Sequence, residues 1–323
     1  MQLPHVSAAQ ASGVTPMTPN ALENLISRLK SPEWHVRHNA GAELLQIENL
    51  DPKFIDPLIE LLATSTDDEV CLSSAYALGQ SKDPKVLEPL LRALNDQSER
   101  VQEFVLMELW NFQDPKMVMP LTEFLLKTNE SHFADYAVNA LLPNVDERVV
   151  EPIIDCLKNR PESKAAIYGA KLLAKVYDPR AVEPLIEYVE KHMSKSIHAV
   201  EALGELADKK AVDVLITSLQ FRDSPEIRRQ SAISLGKLGD KKAVELLISI
   251  LNSYNHEDGV DPLGYAVADA LEKIGDERAK EPLKRFSAEM ETLRKETAEW
   301  VYSPIPGQKP GDFAEYLKYL YSQ

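Results

Sequence analysis

Apolar residues recur along this chain at three- and four-residue spacing and do not alternate, which predicts helices throughout and no strands. In the stretch DPRAVEPLIEYV, Asp178 to Val189, Leu185, Ile186 and Val189 form the inward side of one such helix. Nearly the same phrase returns along the chain, opening on Asp51, Asp83, Asp114, Asp146, Asp178, Asp208, Asp240 and Asp276. The steps are 32, 31, 32, 32, 30, 32 and 36 residues. A period this steady means a stack of supersecondary units.

Each unit reads helix, turn, helix, loop. The first helix ends near a Leu-Gly or similar pair (Leu78-Gly79, Leu203-Gly204, Leu235-Gly236), and Gly239 or Gly275 supplies a stop. Asp followed by Pro then makes an N-cap with proline at the first helical position, as at Asp51-Pro52 and Asp178-Pro179. A second proline, at 57, 89, 120, 152, 184 and 282, is expected to kink the helix or mark the end of its first turn. Neither helix of a unit can bury its apolar face alone, so neighbours must stack into a continuous core. The expected fold is an all-α, α-α superhelix of about eight to nine helix pairs.

The repeats resemble HEAT-like repeats of the phycobilisome-lyase type, most plainly in IRRQSAISLGKLGDKKAVELLISIL, Ile227 to Leu251. The solenoid is expected over residues 20–288, after a flexible N-terminal tail (1–19) in which Ser, Thr, Pro and Ala show no periodicity. Leu22 to Leu29 reads as a lone capping helix. A C-terminal helix and aromatic tail (289–323) is expected to fold back over the last repeat with Trp300, Tyr302, Phe313, Tyr316, Tyr319 and Tyr321.

Composition narrows the function. The 51 Asp and Glu outnumber the 36 Lys and Arg, for a formal charge of −15. Such a chain repels phosphate backbones, and no basic patch suggests nucleic-acid binding. No apolar run is long enough to span a bilayer, and the first residues lack a basic region followed by an apolar one, so a cytoplasmic protein is expected. Cys71 and Cys156 are too few for a disulfide framework and lack CxxC spacing.

The resemblance implies chemistry that can be checked column by column. Hydroxylase members of the family carry His-Glu pairs in the first helices as iron ligands. The corresponding positions here hold pairs such as His38-Asn39, Glu103-Phe104, Asp135-Tyr136 and Ile197-His198, and none is His-Glu. His256-Glu257 falls in a long loop. No P-loop, dinucleotide or serine-nucleophile motif occurs, and no cofactor or metal is expected. Lyase members attach or remove bilins on phycobiliproteins, which makes a bilin or phycobiliprotein partner the alternative. Phe104, Tyr136, Tyr168 and His198 share one column, either as a packing ladder between first helices or as a ligand surface.

The second helices carry the other candidate surface. With the recurrent proline as position zero, position −1 reads Asp56, Glu88, Met119, Glu151, Glu183, Asp213, Glu245, Glu281. Position +3 includes Glu60, Glu123, Asp155 and Glu187, and position +4 includes Phe124, Cys156 and Tyr188. In HEAT-type solenoids the second helix lines the concave wall, so these positions are expected to form an electronegative, partly apolar groove. A first-turn carboxylate gains roughly 0.3–1 kcal/mol from the helix dipole, but like charges four residues apart cost a few tenths. Stability does not ask for pairs such as Asp56/Glu60, Glu151/Asp155 and Glu183/Glu187. The expected role is a non-catalytic scaffold or adaptor. Its groove, formed by Asp56, Glu60, Glu88, Glu123, Phe124, Glu151, Asp155, Glu183, Glu187 and Tyr188, would hold a basic or amphipathic protein segment.

Overall fold

The aspartate that opens each repeat organises everything after it. In the computed structural model, which describes residues 19–47, 50–253 and 262–301, all eight of these side chains accept a hydrogen bond from the backbone N–H two residues on. The three residues after the cap make one turn of 3-10 helix, and the α-helix proper starts next. The second proline is therefore the third residue of its α-helix, as Pro184 is of Val182–Lys191. Its missing N–H falls in the first turn, where no helix interior is disturbed.

Among the described residues the chain forms helices and no strand. They fall into two compact units, one through Leu206 and one from Ala207. The first holds α1 (Pro19–Leu29), α2 (Trp34–Leu44), α3 (Ile55–Thr64), α4 (Asp68–Ser81), α5 (Leu87–Ala93) and α6 (Glu99–Leu109). It continues with α7 (Val118–Lys127), α8 (Ser131–Leu141), α9 (Val150–Asn159), α10 (Lys164–Val176), α11 (Val182–Lys191) and α12 (Ile197–Leu206). The second holds α13 (Val212–Leu219), α14 (Pro225–Leu238), α15 (Val244–Asn252), α16 (Pro262–Ile274) and α17 (Lys280–Val301).

Within each unit a second helix packs chiefly on the first helix that follows it, α3 on α4 and α15 on α16 for example, while successive first helices of the same unit stack on one another. The core follows the proline register: Leu58, Leu90, Leu121, Ile153, Leu185, Leu215 and Leu247, all at +1, are fully buried. Helix α1 is not a lone cap. It pairs with α2 and buries Leu25 and Leu29, as a second helix does in later repeats.

Backbone stops sit just before the capping aspartates. Gly239 and Gly275 adopt φ of +65° and +66°, the left-handed conformation expected of a helix stop. Lys82, Tyr177 and Ala207 take the same conformation at the same position without glycine's freedom. Elsewhere glycine permits close approach: a Cβ on Gly236 would lie 2.8 Å from the Cα of Ala270, where α14 meets α16. The N-terminal tail, the His256-Glu257 loop and the aromatic segment from Tyr302 onward lie outside the described residues, as does the side chain of Trp300.

Candidate functional site

The −1 and +3 positions behave alike. Asp56, Glu60, Glu88, Glu123, Glu151, Asp155, Glu183 and Glu187 are all exposed, so one edge of each second helix in the first unit presents carboxylates to solvent. They differ in what they touch. The Oε1 of Glu151 accepts from Arg180 at 2.6 Å, and the same guanidinium grips the cap Asp178. Glu60 pairs with Lys30 at 3.1 Å and Glu187 with Lys191 at 3.2 Å. Asp155 accepts from Asn159. The carboxylates of Asp56, Glu88 and Glu123 make no ion pair or side-chain hydrogen bond among the described residues.

The Glu151 pair belongs to a pattern. In the second unit Lys242 reaches back to Asp213 at 2.9 Å, and Arg278 to Glu245 at 2.6 Å. In all three, a basic residue two places after one capping aspartate meets the −1 acid of the preceding repeat. The −1 acids Glu151, Asp213 and Glu245 therefore have an internal role, which corrects the expectation that stability does not ask for the Glu151/Asp155 pair. The pattern is partial: Lys85 and Lys116 make no such pair with Asp56 and Glu88 among the described residues, and Arg148 has no acid to meet. The acid is replaced by Met119 in the preceding repeat, and Arg148 donates to the carbonyl of Pro115 instead. The basic residues at 53, 85, 116, 148, 180, 210, 242 and 278 were there to be aligned in the sequence. Contact with Asp178 and Asp276 holds both carboxyls below the usual range, with side-chain bonds from Arg180 and Arg278 as the leading cause.

Position +4 is a second correction. Tyr188 does not line an open groove: it is 2% exposed, donates its hydroxyl to the carbonyl of Pro161 and lies 5.2 Å from the ring of His192. Burial pushes its phenol up to about 12. Cys156 is likewise buried. Phe124 stays half-buried and meets Phe133 edge-on at 6.0 Å.

Phe124 and Glu123 also line a cleft of about 510 Å³ between α5 and α7. Its floor includes Leu91, Leu94 and Phe133, and its rim adds Glu99, Glu130 and Lys127. A smaller cleft of about 250 Å³ lies between α3 and α5 and shares Asn95 with it. Glu99 and Glu130 escaped sequence reasoning because they stand at the starts of first helices, Glu99 opening α6 and Glu130 capping α8, outside the aligned columns.

The aromatic column of the first helices is engaged in packing. Trp110 donates its indole N–H to the carbonyl of Tyr136 and meets that ring edge-on, and Tyr168 lies 5.3 Å from His198 on the next first helix. Among the described residues no three His, Cys, Asp or Glu side chains are grouped to hold a metal ion. No described helix is long and apolar enough to cross a membrane.

The model of HEAT repeats matches residues 55–142, 194–260 and 224–303, together more than half of the chain. No curated protein matches it in sequence. Among solved structures, the chain is similar to YibA of Escherichia coli at 17% identity and a TM-score of 0.52, over 81% of this chain and 98% of that one. The complex of CpcE and CpcF of phycocyanin lyase from Nostoc sp. PCC7120 aligns at 18% identity and 0.36, over 90% of this chain and 100% of that one. Human deoxyhypusine hydroxylase aligns at 18% and 0.33, over 79% and 96%. The likeness to YibA is one of fold, and it agrees with the capped, proline-marked repeats above. By its repeats and by the extent of the match, this chain belongs to the HEAT-repeat family.

Proposed function

We propose that this protein is a non-catalytic scaffold or adaptor that binds a basic segment of a protein partner along the acidic edge of its second helices in the first unit. The observation that carries the reading is the exposure of Asp56, Glu88 and Glu123 on three successive second helices without a cationic partner among the described residues. Unpaired surface carboxylates on successive helices raise the local negative potential and steer cations toward it. Exposed carboxylates at Glu60, Asp155, Glu183 and Glu187 continue that edge, with Glu60 paired to Lys30, Glu187 to Lys191 and Glu151 to Arg180. The two cysteines are free and buried, which suits a reducing compartment, and the reading places the protein in the cytoplasm.

The test is charge reversal at Asp56, Glu88 and Glu123 to lysine, followed by affinity capture from the native host and mass spectrometry. Wild type should retain a partner that the triple variant loses, with helicity and melting unchanged. A partner retained by both proteins places the binding surface elsewhere. Chromophore handling, the alternative raised by the resemblance, is separated by co-expression with a bilin supply: pigment absorbance on the purified protein would favour it.

A further inference from the structure

We propose that the cleft between α5 and α7 is the anchor point of that acidic edge, seating one large apolar side chain of the partner while lysines or arginines flanking it meet Glu99, Glu123 and Glu130. The inference rests on the reading above and names the chemistry of the segment it would bind. Leu91, Leu94 and Phe133 are each at most 5% exposed, so the floor is a continuation of the core, and the half-buried ring of Phe124 forms one wall. At about 510 Å³ the cleft falls within the range of ordinary ligand pockets and is ample for a leucine-sized side chain.

The rim decides what the occupant must carry. Glu99, Glu123 and Glu130 are exposed, and their carboxylates have no partner among the described residues; Lys127 is the single cation on the rim. An acidic rim around an apolar floor repels anionic ligands and rewards a cationic segment with an apolar side chain between its charges. The smaller cleft across α5, with Ile59 and Leu62 in its lining, can receive a second apolar side chain of the same segment. Neighbouring helices lie about 8–10 Å apart. Along a helical partner, a span of that length corresponds to about five to seven residues at roughly 1.5 Å each.

The probe is a fluorescein-labelled amphipathic 18-residue peptide of leucine and lysine, compared by anisotropy with a peptide in which every leucine is serine. With the full chain, the leucine peptide should bind about tenfold or more tightly than the serine peptide, as expected for burying a leucine. Replacing Glu99, Glu123 and Glu130 together by glutamine should weaken it about tenfold. Asn95→Trp, which fills the cleft mouth without changing charge, should remove the advantage of leucine over serine. Circular dichroism on each variant checks that the fold persists. Equal binding of the two peptides, or undiminished binding by the triple variant, overturns the anchor and leaves the acidic edge in place. Failure of wild type to bind either peptide overturns both readings.

Discussion

Glu108→Gln isolates a charge that the fold holds at a cost. Glu108 lies on α6 at 6% exposure, against the backbone of Gly79, where a Cβ would lie 2.2 Å from its Oε2. That oxygen accepts bonds from the side-chain amides of Gln80 and Asn111, both at 3.2 Å. No cation is bonded to it, and burial pushes its carboxyl from 4.5 to about 7, against the pull of the two amides. Because the folded value lies above the unfolded one, the contribution of this group is fully favourable below about pH 4.5 and is lost as pH rises through 7. A change of one in pKa corresponds to about 1.4 kcal/mol, so the loss at pH 8 is on the order of 3 kcal/mol. Glutamine keeps the shape and cannot ionise. The variant should therefore melt about 6–12 °C above wild type near pH 8, at roughly 2–4 °C per kcal/mol for a unit of this size. The two proteins should converge near pH 5. Thermal denaturation followed by circular dichroism across that range measures the difference. An offset that is the same at every pH, or a less stable variant at pH 8, refutes the reasoning.

Lys82→Gly should raise stability by roughly 0.5–1 kcal/mol, because relief of the left-handed residue outweighs the entropy glycine adds to the unfolded chain; urea midpoints measure it. Gly236→Ala should destabilise by about 1–3 kcal/mol, since the Ala270 backbone has little room to retreat, again read from urea midpoints. Met119→Glu adds an inter-repeat acid opposite Arg148, so its melting temperature should rise in low salt and the gain should vanish in about 1 M NaCl.

Much of the fold was legible in the sequence because its signals are local. An aspartate cap, with a nearby proline in six of the eight repeats, fixes the start of each second helix, and a +1 aliphatic residue fixes its buried side, whatever the neighbours do. The site was less legible because its chemistry spans repeats. Glu151 looks unpaired within its own repeat, yet its partner Arg180 lies 29 residues away. Position +4 was misplaced for a geometric reason. It lies about 100° round the helix from +3 but only about 60° from the buried +1 position, so Tyr188 and Cys156 turn toward neighbouring helices. The cleft at Phe124 could not be seen from columns, because Glu99 at the start of α6 and Glu130 at the cap of α8 come to it only through the packing of α5 to α8.

The most direct measurement is the affinity of the leucine-lysine peptide for wild type at about 50 and about 500 mM NaCl, alongside the Asp56→Lys, Glu88→Lys, Glu123→Lys variant. Unpaired carboxylates that hold a cationic segment predict a fall of about tenfold or more with salt in wild type, and weak binding at both concentrations in the variant. Affinity that is indifferent to salt, or equal in the two proteins, would contradict the account.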